Sequence, residues 1–392
     1  MAAARNLPLE GVRIVDFSWV MAGPIATKML GAMGAEVIKI ESSRRPEFSQ
    51  RDGMFAVINR NKRSCTINIT APEGQQLVRD LVAESDVMVE NFSGGVLRKY
   101  GLAYEDLQPI KPDLVFVSAS GLGRTGPQRD ALAYGSLLQG YSGRVSMIGK
   151  LNPALEAMGI LPAWTDPITA LWEVFAILAA LHHRGRTGEG AYVDLSMLES
   201  TVALLPRALL RAALEERGAR VEGTSDVDAA PSGCFRCAGA DDWLAVSVRS
   251  DDEWQRLCAV MGRPDLAADA AYATRAGREQ AKSALDRQVA AWLRGLPASE
   301  AERLLLEQRV PAARSRDIGE LVNDSHLRQR GVFRTWNGDV EMGPLPWLAQ
   351  EAWRGHSSPS PAIGADNAYV FGELLGLSPS RQQELQDAGV IR

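Results

Sequence analysis

The first 120 residues alternate between short apolar runs and stretches in which apolar positions recur at helical spacing. The apolar runs lie at residues 12–17, 37–40, 87–90 and 114–118, and each has the length of a strand. Short, nearly continuous apolar strands separated by helices are typical of a parallel sheet that is covered on both faces. Right-handed crossovers would make this a doubly wound, Rossmann-like layer, so the pattern predicts an α/β fold.

Three loops follow strands of this predicted sheet at its carboxyl edge. They span residues 18–24, 91–95 and 120–127. Ligands of open α/β sheets bind beyond the carboxyl ends of the strands. The alternation alone therefore predicts a binding site built from these three loops.

The second half of the chain predicts a further apolar helix and then a separate module. The helix begins at Thr165-Asp166-Pro167, and a strand is expected at residues 192–195. Residues 217–232 are mostly small or polar, which predicts a linker between a large domain at 1–216 and a small domain at 233–330. The residue composition changes again near Gly331.

Composition and charge favour a soluble enzyme-sized protein over a nucleic-acid or membrane binder. The chain has 392 residues, of which 46% are hydrophobic and 23% are charged, and its net charge is -5. A basic footprint for nucleic acid or a membrane surface is missing. The start of the chain does not resemble a signal peptide, and the apolar run 170–181 contains Glu173 and is too short for a bilayer. We therefore expect a cytoplasmic protein.

Two motifs that suggest bound groups are weak. Cys234 and Cys237 form a C-x2-C pair, but no second pair stands at zinc-ribbon spacing, so we expect reduced thiols and no metal site. Residues 121–126 match G-x-G-x-x-G, but Pro127 follows where a dinucleotide fingerprint would open into a helix. A flexible loop is the better interpretation, and no permanently bound cofactor is expected.

Asp166 has two interpretations that are compatible with each other. Asp followed by Pro and an apolar helix is an ordinary N-cap with proline at the first helical position. A carboxylate at a helix N-terminus also meets a positive dipole and free N–H groups, which keep it ionised and ready to act as a nucleophile. Asn91 is similarly open: it is a turn residue, or its amide fixes a polar ligand.

Several short segments occur in a fixed order along the chain. They are residues 12–17 with Ala22-Gly23-Pro24, residues 30–31 and 34–41, Asn61-Lys62-Arg63-Ser64, Glu90-Asn91-Phe92, Ser120-Gly121 with Gly126-Pro127, and residues 178–181 with Arg184, Thr187-Gly188 and Gly190. In order and spacing, across nearly the whole chain, this set resembles the family III CoA-transferases, the carnitine/formyl-CoA transferase group, which also contains alpha-methylacyl-CoA racemases.

This resemblance implies an architecture and a reaction. The large domain would be CoA-binding and Rossmann-like, residues 331–392 would return to it, the small domain would be α+β, and two chains would interlace as a homodimer. Asp166 matches the family's nucleophile. It would attack an acyl-CoA to form an anhydride, recapture the thiolate as an aspartyl-CoA thioester, and pass CoA to a carboxylic acid.

The resemblance also implies contacts with CoA, which would be a substrate rather than a resident cofactor. The matching positions are Val20, Met21, Ala22, Asn91, Phe92, Ser93, Lys99, Tyr100, Tyr134 and Met197. Ser42 stands where the family often has arginine, so Arg44 or Arg45 would substitute. The glycine-rich loop that closes the site in some members has no clear counterpart here.

Two other functions stay open at this point. A racemase or epimerase needs a second proton-transfer group, usually a His in a His-Asp pair, opposite the shared aspartate. The matching positions here are Tyr134 and Gly135, so that histidine is missing. A non-catalytic CoA-binding subunit is the third interpretation, and the retention of Asp166 argues against it.

Overall fold

The structure is a computed structural model that describes residues 7–42, 53–148, 163–215, 228–336, 339–347, 355 and 357–392. The chain divides into two compact units. One comprises Met1–Arg144, Ile160–Leu210 and Arg330–Arg392, and the other comprises Val145–Gly159 and Arg211–Gln329. Residues 217–227 of the predicted linker lie outside the described residues.

The first unit is built on a six-stranded sheet in which every neighbouring pair of strands is parallel. The strand order is β3-β2-β1-β4-β5-β6. The strands are β1 (Arg13–Asp16), β2 (Glu36–Glu41), β3 (Lys62–Thr66), β4 (Val87–Glu90), β5 (Val115–Ser120) and β6 (Ala191–Ser196). The predicted α/β, Rossmann-like fold class is confirmed.

Helices join these strands. Those described up to residue 215 are α1 (Ala22–Ala32), α2 (Met54–Ile58), α3 (Pro72–Ala83), α4 (Tyr104–Leu107), α5 (Gly135–Tyr141), α6 (Arg144–Ile148), α7 (Thr165–Thr187), α8 (Met197–Val202) and α9 (Pro206–Glu215). A 3₁₀ helix, Leu97–Tyr100, precedes α4, and Gly101 separates the two with a φ of 62°.

Alternation along the strands divides the apolar core between the two faces of the sheet. Val115 and Val117 of β5 pack with Ala170, Val174 and other residues of α7 and with α1. Phe116, between them, faces the opposite side and packs in the cluster that holds α3 and the end of the chain. Both faces are therefore covered, as buried parallel sheets require.

Strand β3 is the edge of the sheet, and its free edge is paired with side chains from the end of the chain. Asp366 Oδ2 accepts from the Ser64 amide at 2.8 Å, and Asn367 Oδ1 accepts from the Thr66 amide at 2.9 Å. The Asn68 amide, just beyond the strand, donates to the Val390 carbonyl at 2.7 Å. Residues 366–390 thus satisfy an edge that would otherwise expose unpaired backbone groups.

The rest of residues 330–392 adds a short hairpin and two helices to this unit. The hairpin is β10 (Phe333–Trp336) with β11 (Asp339–Met342), in antiparallel register. A π-helix, Ala368–Leu374, follows, and its Val370 and Phe371 are buried in the core beside α3. The last helix, α17 (Pro379–Asp387), buries Leu385 in the same cluster.

The second unit contains an antiparallel sheet in the order β7-β8-β9, with helices around it. Its core includes the fully buried side chains of Trp254, Leu257 and Val289. The strands are β7 (Ser232–Arg236), β8 (Trp243–Ser247) and β9 (Ala312–Arg314). The helices are α10 (Asp251–Val260), α11 (Pro264–Ala268), α12 (Arg275–Gln280), α13 (Lys282–Leu293), α14 (Ala298–Glu307), α15 (Ile318–Asn323) and α16 (Ser325–Gln329), with a 3₁₀ turn at Ala270–Tyr272.

Candidate active site

The loops after β1 and β4 are joined side by side at the carboxyl edge of the sheet. The amide of Asn91 accepts a hydrogen bond from the Trp19 backbone N–H and donates one to the Trp19 carbonyl, both at 2.7 Å. The ring of Phe92 meets the rings of Phe17 and Trp19 edge to face. Asn91 is therefore more than a turn residue, because its side chain fixes the loop that precedes α1.

That loop carries a strained backbone. Val20 has a φ of 71°, a left-handed conformation that a β-branched residue rarely adopts and that costs about 1–3 kcal/mol. Met21 is the N-cap of α1, and Ala22 is its buried first residue. A Cβ on Gly23 would lie 2.2 Å from Cβ of Ser18, so only glycine fits there. The surrounding packing must hold this turn in place.

A buried network of charged and hydroxyl groups holds the start of the loop after β1. Asp16 Oδ2 accepts from Lys62 Nζ at 2.9 Å and from Thr27 Oγ1 at 2.7 Å. Ser18 N donates to Asp16 Oδ1 at 2.8 Å, and Lys39 Nζ donates to the Ser18 carbonyl at 2.7 Å. Burial by itself would raise the pKa of Asp16, but these two lysines and the hydroxyl donors outweigh it, so the pKa is held below its ordinary value.

Asp166 lies within the first turn of α7. The helix begins at Thr165, with Trp164 as its N-cap and no side-chain cap, so the interpretation of Asp166 as the N-cap is wrong. Its side chain is directed instead into a buried space, and the residue is only 9% exposed. Burial raises the pKa of Asp166 to about 6, against the lowering effect of a hydrogen bond from its own backbone N–H. About nine-tenths of this group is still ionised at pH 7.

The carboxylate of Asp166 packs directly against the first residue of α5. A Cβ on Gly135 would lie 1.8 Å from Oδ2 of Asp166. The absence of a side chain at Gly135 is therefore what makes room for this rotamer of the carboxylate. Tyr134, the N-cap of α5, is 64% exposed.

Apolar residues from three helices meet close to this point. Ala22 of α1, Leu138 of α5 and Met197 of α8 form one buried cluster. Met197 follows Ser196, whose hydroxyl caps α8 by accepting from the Glu199 amide at 3.2 Å. The structure thus brings two predicted site residues, Ala22 and Met197, together beside the helix that contacts Asp166.

The remaining predicted residues lie along the segment after β4. Ser93 and Lys99 are exposed, and Lys99 is in the 3₁₀ helix Leu97–Tyr100. Tyr100 is partly buried against the core that contains α3. Arg44 and Arg45, the predicted substitutes for an arginine at Ser42, lie outside the described residues.

Sequence reasoning missed the role of Glu173, seven positions after Asp166 on α7. Glu173 is fully buried, and neither carboxyl oxygen has a hydrogen-bond partner among the residues that the structure describes. Burial raises its pKa to about 8, and the charges of Asp16, Glu90 and Asp166 add to this while Lys62 opposes it. Glu173 is thus mostly neutral at pH 7. Its only signal in the sequence is that it interrupts an apolar helix.

Within the described ranges, no group of three or more His, Cys, Asp or Glu side chains is arranged to hold a metal ion. The described helices include none with the length and apolar character needed to cross a membrane. Cys65, Cys237 and Cys258 are buried free thiols, and Cys234 is an exposed one.

The site thus consists of a buried carboxylate close to the carboxyl-edge loops of a Rossmann-like sheet, and comparison with known proteins shows the family. The sequence model of CoA-transferase family III matches residues 9–367. The succinyl-CoA–D-citramalate CoA-transferase of Chloroflexus aurantiacus is 32% identical over 401 residues, covering 98% of each chain. The succinate–glutarate CoA-transferase of Agrobacterium fabrum is 32% identical over 395 residues, covering 94% of this chain and 96% of the relative.

Solved structures agree. A CAIB/BAIF family protein from Brucella suis superposes with a TM-score of 0.84 at 29% identity, covering 94% of this chain and all of that one. The chain belongs to CoA-transferase family III and is an enzyme of this type.

Proposed function

We propose that this enzyme moves coenzyme A from an acyl-CoA thioester to a carboxylic acid and that Asp166 is its nucleophile. The observation that carries the proposal is the buried Asp166 carboxylate at the start of α7, packed against Gly135. No other described residue donates a side-chain hydrogen bond to it, so its oxygens are available for attack.

The proposed reaction proceeds through alternating anhydrides and a thioester. Asp166 attacks the acyl carbonyl, the C–S bond breaks, and CoA leaves as a thiolate from an aspartyl anhydride. The thiolate attacks the aspartyl carbonyl, which releases the donor acid and leaves an aspartyl-CoA thioester. The acceptor carboxylate displaces CoA to give a second anhydride. The thiolate then attacks the acceptor's carbonyl, which yields the new acyl-CoA and restores Asp166.

Burial of Asp166 suits this sequence of steps. A charge in an apolar environment is destabilised relative to water, and this is why the pKa of Asp166 is raised to about 6. The anhydride and the thioester at Asp166 are both uncharged at that position. The same environment therefore favours the covalent intermediates while leaving most of the free carboxylate ionised at pH 7.

Racemisation lacks a comparable site. It needs a second acid–base side chain opposite the aspartate, and the residue in contact with the carboxylate is Gly135, which has none. Tyr134, the preceding residue, is 64% exposed. These positions support transfer rather than proton exchange.

The substrates to test first follow from the names of the relatives. The Chloroflexus relative is named for succinyl-CoA and D-citramalate, and the Agrobacterium relative for succinate and glutarate. All are dicarboxylic acids or a thioester of one. We propose succinyl-CoA as the donor, with CoA lying over the loops that contain Val20–Ala22 and Asn91–Ser93 and reaching toward Lys99.

Trapping on Asp166 tests the proposal. Incubated with succinyl-CoA, the enzyme should gain a covalent adduct on the peptide that contains Asp166, and hydroxylamine should convert that side chain to a hydroxamate. Asp166→Asn should gain no adduct and should transfer CoA more slowly by orders of magnitude. Its melting temperature should barely change, because Asp166 does not cap the helix.

Glu189→Gln, an exposed acid at the other end of the same helix region, is the matched control and should react as the wild type does. Near-normal transfer of CoA by Asp166→Asn would refute the assignment of the nucleophile.

A further inference from the structure

Glu173 lies on the face of α7 that packs on the large sheet, and the proposed reaction does not use it. Ala170 and Ile177, one turn to either side, are buried in the cluster that covers this face of the sheet. Glu173 itself is fully buried, and neither of its carboxyl oxygens has a hydrogen-bond partner in the part of the chain that the structure describes. A buried polar group without a partner destabilises a fold, which indicates that Glu173 serves something other than stability.

Strand alternation places Asp16 opposite this part of α7. Ile14 of β1 belongs to the cluster on the α7 face of the sheet, whereas Val15 belongs to the cluster on the other face. Side chains along a strand alternate between the two faces, so Asp16 points to the same side as Ile14. Asp16 is fully buried, and its charge acts on Glu173 more strongly than that of any other residue.

Acids outnumber cations around Glu173. The charged groups that act on it are Asp16 of β1, Glu90 of β4, Asp166 of α7 and Lys62 of β3. Among the other elements of this face, β5 has no charged residue, and the one charged residue of α1, Lys28, interacts with Arg60. Burial and the three acids raise the pKa of Glu173 to about 8, against the lowering effect of the single cation. Glu173 is therefore about one-tenth ionised at pH 7 and about nine-tenths ionised at pH 9.

Asp16 anchors the loop after β1. Its Oδ1 accepts from the backbone N–H of Ser18 at 2.8 Å, and its Oδ2 accepts from Lys62 Nζ at 2.9 Å. The loop continues through Val20, whose strained φ of 71° has to be held by its surroundings. A change in the charge balance at Asp16 therefore affects the segment Val20–Ala22 as well.

A charge on Glu173 would disturb this anchor. A carboxylate there would be buried without a donor and would face the carboxylate of Asp16. Both would compete for Lys62, which also donates to Asn59 Oδ1 at 2.8 Å. Protonated Glu173 brings no such charge, so Asp16 keeps its bond from Lys62 and the loop keeps its first hydrogen bond at Ser18.

We propose that Glu173 is a positioning residue, which holds the loop after β1 through Asp16 only while its own carboxyl group is protonated. The ligand affected is CoA, a step that rests on the proposed function, in which Val20–Ala22 contact CoA. Ionisation of Glu173 releases the loop and weakens the binding of CoA. By linkage, bound CoA in turn favours the protonated form of Glu173.

Calorimetric titration of the full-length protein with S-methyl-CoA, a thioether that cannot react and has no thiol to titrate, tests the proposal at pH 7 and pH 9. If only the form with protonated Glu173 binds, the affinity of the wild type should fall about tenfold between these values. Glu173→Gln and Glu173→Leu are uncharged and should keep their pH 7 affinity at pH 9. Glu189→Gln changes an exposed acid and, as the matched control, should weaken as the wild type does. Equal pH profiles for the wild type and both uncharged variants would overturn the proposal.

Hydrogen exchange separates the role of Glu173 from the assignment of CoA. At pH 9 the peptide that contains Ser18 should exchange faster in the wild type than in Glu173→Gln, and at pH 7 the two proteins should agree. Peptides from β8 are the internal reference and should exchange alike in both proteins. This pattern without binding of S-methyl-CoA would support the role of Glu173 and refute the CoA assignment. Equal exchange of the Ser18 peptide in both proteins at pH 9 would overturn the role of Glu173.

Discussion

Two acids on one face of α7 show how burial, together with neighbouring charges and donors, assigns different protonation states. Burial raises the pKa of both Asp166 and Glu173, to about 6 and about 8. Glu173 is fully enclosed and is surrounded by more acids than cations, whereas Asp166 keeps a backbone donor and some exposure. At pH 7 the first is therefore mostly charged and the second mostly neutral.

Glu173→Gln should change how the stability of the protein depends on pH. In the unfolded chain the carboxyl ionises near its ordinary pKa of 4.5, whereas in the fold it ionises near 8. Between these values the folded state binds more protons, so wild-type stability falls as pH rises, and above pH 8 the loss is complete. Glutamine has no such transition. Its stability relative to the wild type should therefore grow across this window, by an amount on the order of a few kcal/mol.

Urea unfolding at pH 5 and at pH 8.5 measures this difference. Glu189→Gln changes an exposed acid and should follow the wild type at both values. Parallel stability curves for the wild type and Glu173→Gln would show that Glu173 titrates normally.

Some of these residues can be identified from the sequence and others cannot, for physical reasons. Asp166 can be found because Asp-Pro before an apolar run marks a helix start, and the family resemblance adds a role. The packing of Asp166 against Gly135 cannot be found, since it joins residues of two different helices that lie 31 positions apart in the chain. Glu173 is visible only as an interruption, because nothing local indicates that its oxygens lack partners.

Among the elements, the strands that are buried on both faces are predictable and the edge strand is not. The predicted runs at 12–17, 37–40, 87–90 and 114–118 correspond to β1, β2, β4 and β5. Strand β3, Lys62–Thr66, was missed because its residues are mostly polar. Lys62 is buried only because Asp16 neutralises it, and the free edge is satisfied by residues 366–367. Both partners are distant in sequence, so no local pattern indicates the strand.

Helical spacing in the sequence does not show where a helix breaks. The stretch 97–107 has helical spacing throughout, but it forms a 3₁₀ helix and α4 with a turn between them. Gly101 takes a left-handed φ of 62°, which favours an end to the first helix over its continuation.

Asp366→Ala should weaken the edge of the sheet. It removes the acceptor for the Ser64 amide at 2.8 Å and the partner of Arg63 at 3.0 Å. Loss of these bonds at a partly buried position should cost about 1–3 kcal/mol of the free energy of unfolding. Asp366→Asn retains an acceptor oxygen and should cost less, and hydrogen exchange at the Ser64 amide should speed up in Asp366→Ala. Unchanged exchange there would mean that residue 366 does not protect β3.

At the scale of the molecule, the beginning and end of the chain share one folding unit. Contacts between β3 and residues 364–392 span some 300 positions. Such contacts cannot be derived from local patterning, and the sequence indicated them only through the family resemblance. Because a strand edge is completed by the last residues, truncation of the chain before Asp366 would expose β3.

Assembly is the remaining question at this scale, and α7 offers a surface for it. Leu171 and Phe175, one turn apart, are 56% and 65% exposed, and Trp172 beside them is 39% exposed. Contiguous apolar side chains on a helix face usually mark an interface. The family resemblance implies a homodimer, so we propose that a second copy of this chain covers them.

Light scattering at micromolar concentration should therefore give the mass of a dimer, and dilution should not separate it, because interlaced chains must unfold to part. Replacing both Leu171 and Phe175 with glutamate should give monomers or insoluble protein. Each copy would then bury two negative charges without partners at the interface, which is unfavourable. Ile110→Glu, at a residue that is 41% exposed, places the same charge on an apolar site away from α7 and should leave the dimer intact. A wild-type monomer would refute the predicted assembly. A stable dimer of the doubly substituted protein would show that the interface does not include this face of α7.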